Sequence, residues 1–201
     1  MKKKIAVTGG IGSGKSFWLN YIRELGYPVF SCDEIYKEVI QTPAYLSKMK
    51  EVFSDCIKEG KVDRKALAQT VFCDEEKRKR LNGIAHPFIM ETLLQRMEKC
   101  ASELVFAEVP LLFEGEFENL FDYVLVVERD MRERLRAICD RDGMTEEEAV
   151  QRMNAQFDYH SPDAETRFQK CHAFILENGA DFLAVKNKLE TWIFEVQKRK
   201  T

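Results

Sequence analysis

The segment Gly9-Gly10-Ile11-Gly12-Ser13-Gly14-Lys15-Ser16 constrains the fold of this chain more than any other stretch. It satisfies every fixed position of the G-x-x-x-x-G-K-[ST] pattern, and its surroundings match what that pattern requires. Ahead of it, Ile5-Ala6-Val7 is a short apolar run that reads as a buried strand. Behind it, Lys15 to about Leu25 reads as a helix with Trp18, Leu19, Ile22 and Leu25 on one stripe, closed by Gly26 and Pro28. Val29-Phe30 then supplies a second strand, so the chain opens with a strand–helix–strand unit of the kind that builds parallel sheets. In such a loop the glycines bring main-chain N–H groups close to an anion, and the positive end of the following helix adds to the attraction. Gly10, Ile11, Gly12, Ser13 and Gly14 are therefore expected to cradle phosphates. Lys15 is expected to bridge the β- and γ-phosphates, and Ser16 to offer its hydroxyl to Mg²⁺.

The rest of the composition narrows the classes. A chain of 201 residues has room for one substantial core and a small inserted lobe. A formal net charge of −3 gives no electrostatic argument for a nucleic-acid or membrane partner. The start Met-Lys-Lys-Lys is basic, but the apolar run after it is too short for a signal peptide, and no stretch reaches membrane-spanning length. Cys32, Cys56, Cys73, Cys100, Cys139 and Cys171 are irregularly spaced with no C-x-x-C pair, which reads as reduced thiols in a cytoplasmic protein. A guanine-nucleotide switch would carry Asn-Lys-x-Asp, and Asn178-Gly179-Ala180-Asp181 lacks the lysine.

Between Asp33 and Glu103 the pattern is helical, with no strand of comparable strength. Asp33 opens one helix and Thr42-Pro43 starts the next. Asp63 caps Arg64 to Phe72, and Asp74 caps a run toward Lys99 that Pro87 is expected to interrupt. The sheet resumes with Leu104 to Ala107 and Tyr123 to Val127, apolar runs suited to strands covered on both faces. Asp130 caps a helix ending near Gly143, Thr145 opens a capping box, and Phe174-Ile175-Leu176 is the last strand. A helix from about Phe182 closes the chain, followed by Lys198-Arg199-Lys200, which reads as a solvated tail.

Several side chains fall where chemistry would need them. Asp33 lies just past the second strand, on the rim where ligands of parallel sheets gather, so it is placed to take a proton from an attacking hydroxyl; it also fits a helix cap, and both readings stand. Glu108 follows the third strand and fits either a water-mediated Mg²⁺ contact or a solvent-facing carboxylate. His86, before Pro87, fits a ligand contact at a helix break or a local hydrogen bond. In the arginine-rich segment 132–141 most side chains read as solvated, with pairs such as Asp130–Arg134 and Arg136–Asp140. Arg141, at the helix end, is the one assigned to charge developing on the γ-phosphate.

The ordered set of motifs resembles the dephospho-coenzyme A kinases. Val7 to Ser16 has that family's form of the phosphate loop, and Asp33 matches its catalytic aspartate. Gly60 to Leu67, Val71-Phe72 and Leu81 to Pro87 follow its insert; Pro110-Leu111-Leu112-Phe113-Glu114 matches its proline–leucine–leucine signature; Arg141 to Thr145 resembles the lid, and Asn178-Gly179 the end of its last strand. The resemblance implies a three-layer α/β/α P-loop fold with a parallel five-stranded sheet, a helical substrate-binding insert and a lid. It implies a nucleotide-binding core over 1–32 and 103–201, an acceptor-binding insert over 33–102 and a lid over 138–168. It further implies ATP and Mg²⁺ as cofactors and phosphorylation of the ribose 3′-hydroxyl of dephospho-coenzyme A. Asp33, Lys15 and Arg141 would be catalytic; Asn178 and Gly179 would join the nucleotide site; and Asp33, Arg64, Leu67, His86, Pro110 and Glu114 would hold the acceptor. A monomer without nucleic-acid or membrane partners is expected. The chain departs from the family in having Ser31-Cys32-Asp33 where Asp-x-Asp is common, and Arg167 fits a basic lid position. Two rivals remain: a P-loop kinase of another small hydroxylated metabolite, and a nucleotide-binding switch without transferase activity.

Overall fold

A computed structural model describes residues 2–72, 74–179 and 181–199. The Cys73 thiol, Ala180 of the Asn178–Asp181 segment and Lys200 of the basic tail lie outside the described residues. The chain divides into two compact units, Met1–Val29 with Cys100–Thr201, and Phe30–Lys99.

In chain order, β1 is Lys3–Thr8, α1 Lys15–Glu24, β2 Val29–Ser31, α2 Cys32–Val39 and α3 Pro43–Val52. Next come β3 Ile57–Lys58, β4 Lys61–Val62, α4 Arg64–Phe72 and α5 Glu75–Lys99, and then β5 Leu104–Glu108 and β6 Tyr123–Glu128. The chain closes with α6 Met131–Asp142, α7 Glu146–Asn154, α8 Pro162–Lys170, β7 Ala173–Glu177 and α9 Phe182–Lys198. The five-stranded sheet runs β2-β5-β1-β6-β7 and is parallel, so the strand carrying the glycine loop is central. Register pairs Ile5 with Phe106 on one side and with Tyr123 on the other.

One sheet face of the larger unit is built from Ile5, Val7, Leu104, Phe106, Leu125, Val127 and Leu176. These pack with Trp18, Leu19 and Ile22 of α1 and Val185, Leu189, Trp192, Ile193 and Val196 of α9. Alternate strand residues Ala6, Val105, Ala107, Val124 and Val126 are buried as well, which is why the strands read as continuous apolar runs. Leu25, expected on the buried stripe of α1, is 38% exposed, because the helix ends one residue earlier and Leu25 turns out at its C-cap. The basic start of the chain is structural. Lys3 is buried and its ammonium donates to the Val196 carbonyl at 2.5 Å and to that of Arg199, satisfying orphan carbonyls at the C-terminal end of α9 where a cation is favoured. Lys198 lies over the Phe194 ring rather than in free solvent.

The smaller unit differs from the sequence expectation in three ways. It contains strands: Ile57 pairs with Val62 and Lys58 with Lys61 in an antiparallel hairpin. The turn is Glu59-Gly60, both at positive φ (50° and 73°), the two-residue geometry that matches strand twist; a glutamate in its first position hid the signal. Second, α5 is not interrupted at Pro87 but runs through it for 25 residues. Proline removes one hydrogen bond and crowds the carbonyl four residues back, here that of Gly83. The burial of Ala85, Ile89, Met90, Leu93 and Met97 against α2, α3 and α4 outweighs the lost bond. Third, Asp33 does not cap α2. Ser31 is the N-cap, its hydroxyl accepting from the Glu34 N–H, and Asp33 sits in the first turn. Thr42, Asp63 and Asp74 cap their helices as expected.

Candidate active site

The glycine loop leaves β1 and enters α1 through Gly14 at φ 89°, a left-handed conformation that favours glycine. At Gly12 (φ 78°) a side chain would also collide with α6, its Cβ falling 2.7 Å from the Arg134 carbonyl oxygen. The loop is fastened from several parts of the larger unit. Asn178, after β7, donates its side-chain N–H to the Ser13 carbonyl at 2.9 Å. Gln156, after α7, accepts from the Ile11 N–H at 2.7 Å, and the Arg134 Nε of α6 donates to the Ile11 carbonyl at 3.0 Å. At the end of β1, the Thr8 hydroxyl lies 3.2 Å from that of Tyr159, whose phenol burial pushes up to about 12.

Lys15 donates to the Gly9 carbonyl at 2.6 Å and the Gly10 carbonyl at 3.0 Å, so its ammonium lies across the mouth of the loop. Burial lowers it to about 8; Glu108 and Glu114 pull it back up, and Arg134 and Arg141 push it further down. Those four groups therefore gather around Lys15. Glu108 is the last residue of β5 rather than a loop residue, and the exposed Ser16 hydroxyl is in the first turn of α1. Among the described residues no group of three His, Cys, Asp or Glu could hold a metal by itself. The hard-oxygen donors, Ser16 and Glu108, do fit Mg²⁺ in the manner of nucleotide enzymes, where one or two protein oxygens share the ion with phosphates and water.

The residues after the third strand form a braced turn. Pro110 is half-buried, and the exposed Glu114 accepts from the Phe157 N–H at 2.9 Å while Phe157 stacks on Phe113 at 4.7 Å. Arg167, which fits a basic lid position, braces this turn: it donates to Glu118 at 2.6 Å and to the Phe113 carbonyl at 2.9 Å, and lies over the Phe113 and Phe157 rings. Arg141 is exposed and paired with Asp142 at 2.7 Å. Gly179 is exposed beside Asn178, in a cavity of about 370 Å³ also lined by Glu128, Arg129, Asp130 and His160.

The remaining expected residues belong to the smaller unit. Asp33 is exposed, and its carboxylate makes no hydrogen bond or ion pair among the described residues. Arg64 is exposed at the start of α4, whereas Leu67 is buried. His86 lies inside the unbroken α5, half-buried, with its imidazole lowered by burial. The expected Asp130–Arg134 and Arg136–Asp140 pairs do not form: Arg134 reaches the glycine loop, and Arg136 points to solvent. Sequence reasoning missed Arg134, Gln156 and Tyr159, whose partners are 123, 145 and 151 positions away and left no local signal.

A central parallel strand, a glycine loop opening a helix and a half-buried lysine across that loop define a P-loop nucleotide-binding protein of the phosphotransferase class. A family model described as Dephospho-CoA kinase matches residues 3–181, and the chain belongs to that family. Curated relatives named Dephospho-CoA kinase include one from Thermus thermophilus, 33% identical over 96% of this chain and 91% of its own. Another, from Bacillus cereus, is 36% identical over 92% and 93%. A crystal structure from Thermus thermophilus superposes with a TM-score of 0.78 at 32% identity, covering 96% of this chain and 97% of the other. A Campylobacter jejuni dephospho-CoA kinase gives 0.60 at 26% identity, with 97% of each chain covered.

Proposed function

We propose that this protein transfers the γ-phosphoryl group of ATP to the ribose 3′-hydroxyl of dephospho-coenzyme A, giving coenzyme A and ADP. The observation that carries the reading is Lys15 held across the glycine loop, with Glu108 and Arg141 close enough to act on its charge. Phosphoryl transfer asks little covalent chemistry of a protein and much positioning and charge neutralisation. In this reading the loop amides and Lys15 hold the β- and γ-phosphates, Asn178 and Gly179 border the nucleoside, and Arg141 answers charge developing on the transferred group. Bound Mg²⁺ would neutralise phosphate oxygens, with Ser16 as ligand and Glu108 reached through water.

Asp33 takes the proton of the attacking hydroxyl. Its support is twofold: the cap of α2 is supplied by Ser31, so the carboxylate is not needed there, and that carboxylate is exposed. Arg64, His86, Pro110 and Glu114 belong to the acceptor side, with buried Leu67 shaping it. Among the described residues no helix is long and apolar enough to cross a membrane; the proposed enzyme is a cytoplasmic monomer. ADP release measured across hydroxyl acceptors, dephospho-coenzyme A among them, tests the reading. Turnover with dephospho-coenzyme A at least a hundredfold above nucleosides and sugar acids is expected; equal or greater turnover with one of those would replace the substrate, and none with any would replace the reaction.

A further inference from the structure

The half-buried arginines other than Arg134 each meet a carboxylate: Arg96 pairs with Glu38, Arg129 with Glu133 and Arg167 with Glu118. Arg134 is different. It is half-buried, it belongs to no glycine-loop motif, and no carboxylate lies within ion-pair distance of it among the described residues. Among the described residues its guanidinium makes one hydrogen bond, from Nε to the Ile11 carbonyl. The end of its guanidinium lies beside Gly10, where a Cβ would fall 2.2 Å from one terminal nitrogen and displace it.

We infer that Arg134 is a second phosphate-binding cation of the loop, contacting the terminal phosphate of bound ATP from α6. A guanidinium has five N–H donors, and phosphate oxygens match them in pairs. Four of the five have no acceptor among the described residues. Burial disfavours its charge, and the carboxylate that supports it, that of Glu128, is not at bonding distance. Arg134 also acts on Lys15 in the same direction as Arg141, so three cations converge on one loop and raise each other's cost. A polyanion in the loop removes that repulsion. The Nε bond to the Ile11 carbonyl leaves the two terminal nitrogens as the reaching end, and Gln156 accepts from the N–H of the same residue. This inference rests on the ATP reading above.

The test separates nucleotides that differ by the terminal phosphate. In Arg134→Ala, ATP affinity is expected to fall about tenfold or more while ADP affinity changes less than about threefold, and turnover falls about a hundredfold. The melting temperature should stay within a few degrees of wild type. Arg134→Lys should recover part of the turnover, and free guanidinium at millimolar concentration should raise the turnover of Arg134→Ala but not that of wild type. Equal weakening of ATP and ADP, or unchanged turnover, overturns the inference and leaves Arg134 as a clamp on Ile11. Should Arg134→Ala fail to fold, Arg134→Lys and Arg134→Gln carry the same ATP-against-ADP comparison. Wild-type protein is the control: if it binds ATP but phosphorylates nothing, the proposed reaction falls, whereas active wild type with an indifferent Arg134→Ala sinks only this assignment.

Discussion

The glycine loop and the Phe30–Lys99 unit are constructed in opposite ways. The loop is pinned at Thr8, Ile11 and Ser13 by side chains from three separate stretches of chain, so its backbone is over-determined. The smaller unit presents its chemistry on exposed helix starts, with Asp33 and Arg64 facing solvent and Phe72 80% exposed. Its ion pairs, such as Lys79–Glu75 and Arg96–Glu38, are exposed ones worth little. Its buried positions include Met49, Met90 and Met97, flexible side chains that adapt to a changing neighbour. A triphosphate is the same object in every turnover and rewards a rigid mould. Under the proposed function the Phe30–Lys99 unit would receive the acceptor.

If that division of labour is right, damage to each region has its own signature. The largest effect is expected from Lys15→Ala. Turnover should fall by about a thousandfold or more, and ATP affinity should drop with it, read by steady-state kinetics and by calorimetric titration. Asp33→Asn comes next, with turnover down about a hundredfold and ATP affinity unchanged. If this variant bound ATP as poorly as Lys15→Ala does, the two regions would not be separable; if it turned over normally, the base lies elsewhere.

The smallest effect is the pH response of the loop. Burial holds Lys15 at about 8, below its ordinary 10.5, so the ammonium is lost as pH rises through that value. Phosphate favours the ammonium, so ATP must then bind together with a proton, and affinity should fall by up to about tenfold per pH unit above 8. Calorimetry in two buffers of different ionisation enthalpy should show proton uptake at pH 8.5, and Lys15→Arg should show none. The sign for folding is the reverse: the charged form is a stability cost fully present below about 8, which disappears as pH climbs toward the unfolded value.

The same contrast decides what the sequence disclosed. The loop was legible because its function is a backbone geometry, and that geometry demands glycine, lysine and serine at fixed spacing. The five strands were legible as unbroken apolar runs such as Tyr123 to Val127, since both their faces are covered. Caps at Thr42, Asp63, Asp130 and Thr145 were legible because they are local. The role of Arg134 was not, because nothing within its own helix distinguishes it from Arg132 or Arg136; only the approach of Gly10 does. Pro87 misled because the local rule against it took no account of the apolar packing that holds α5 straight through it. Ser31 was read as a missing carboxylate, whereas here it caps α2.

The central place of β1 has a consequence for biogenesis. Its neighbours in the sheet are β5 and β6, so Lys3 waits for Leu104 and Ile5 for Phe106 before either finds a partner strand. A nascent chain therefore emerges from the ribosome with its nucleotide strand unpaired for some hundred residues, while α2 to α5, whose contacts are near in sequence, can assemble first. Pulse-labelling during refolding should find amide protection in α5 ahead of β1, and the opposite order would mean that the sheet nucleates from its far-separated strands.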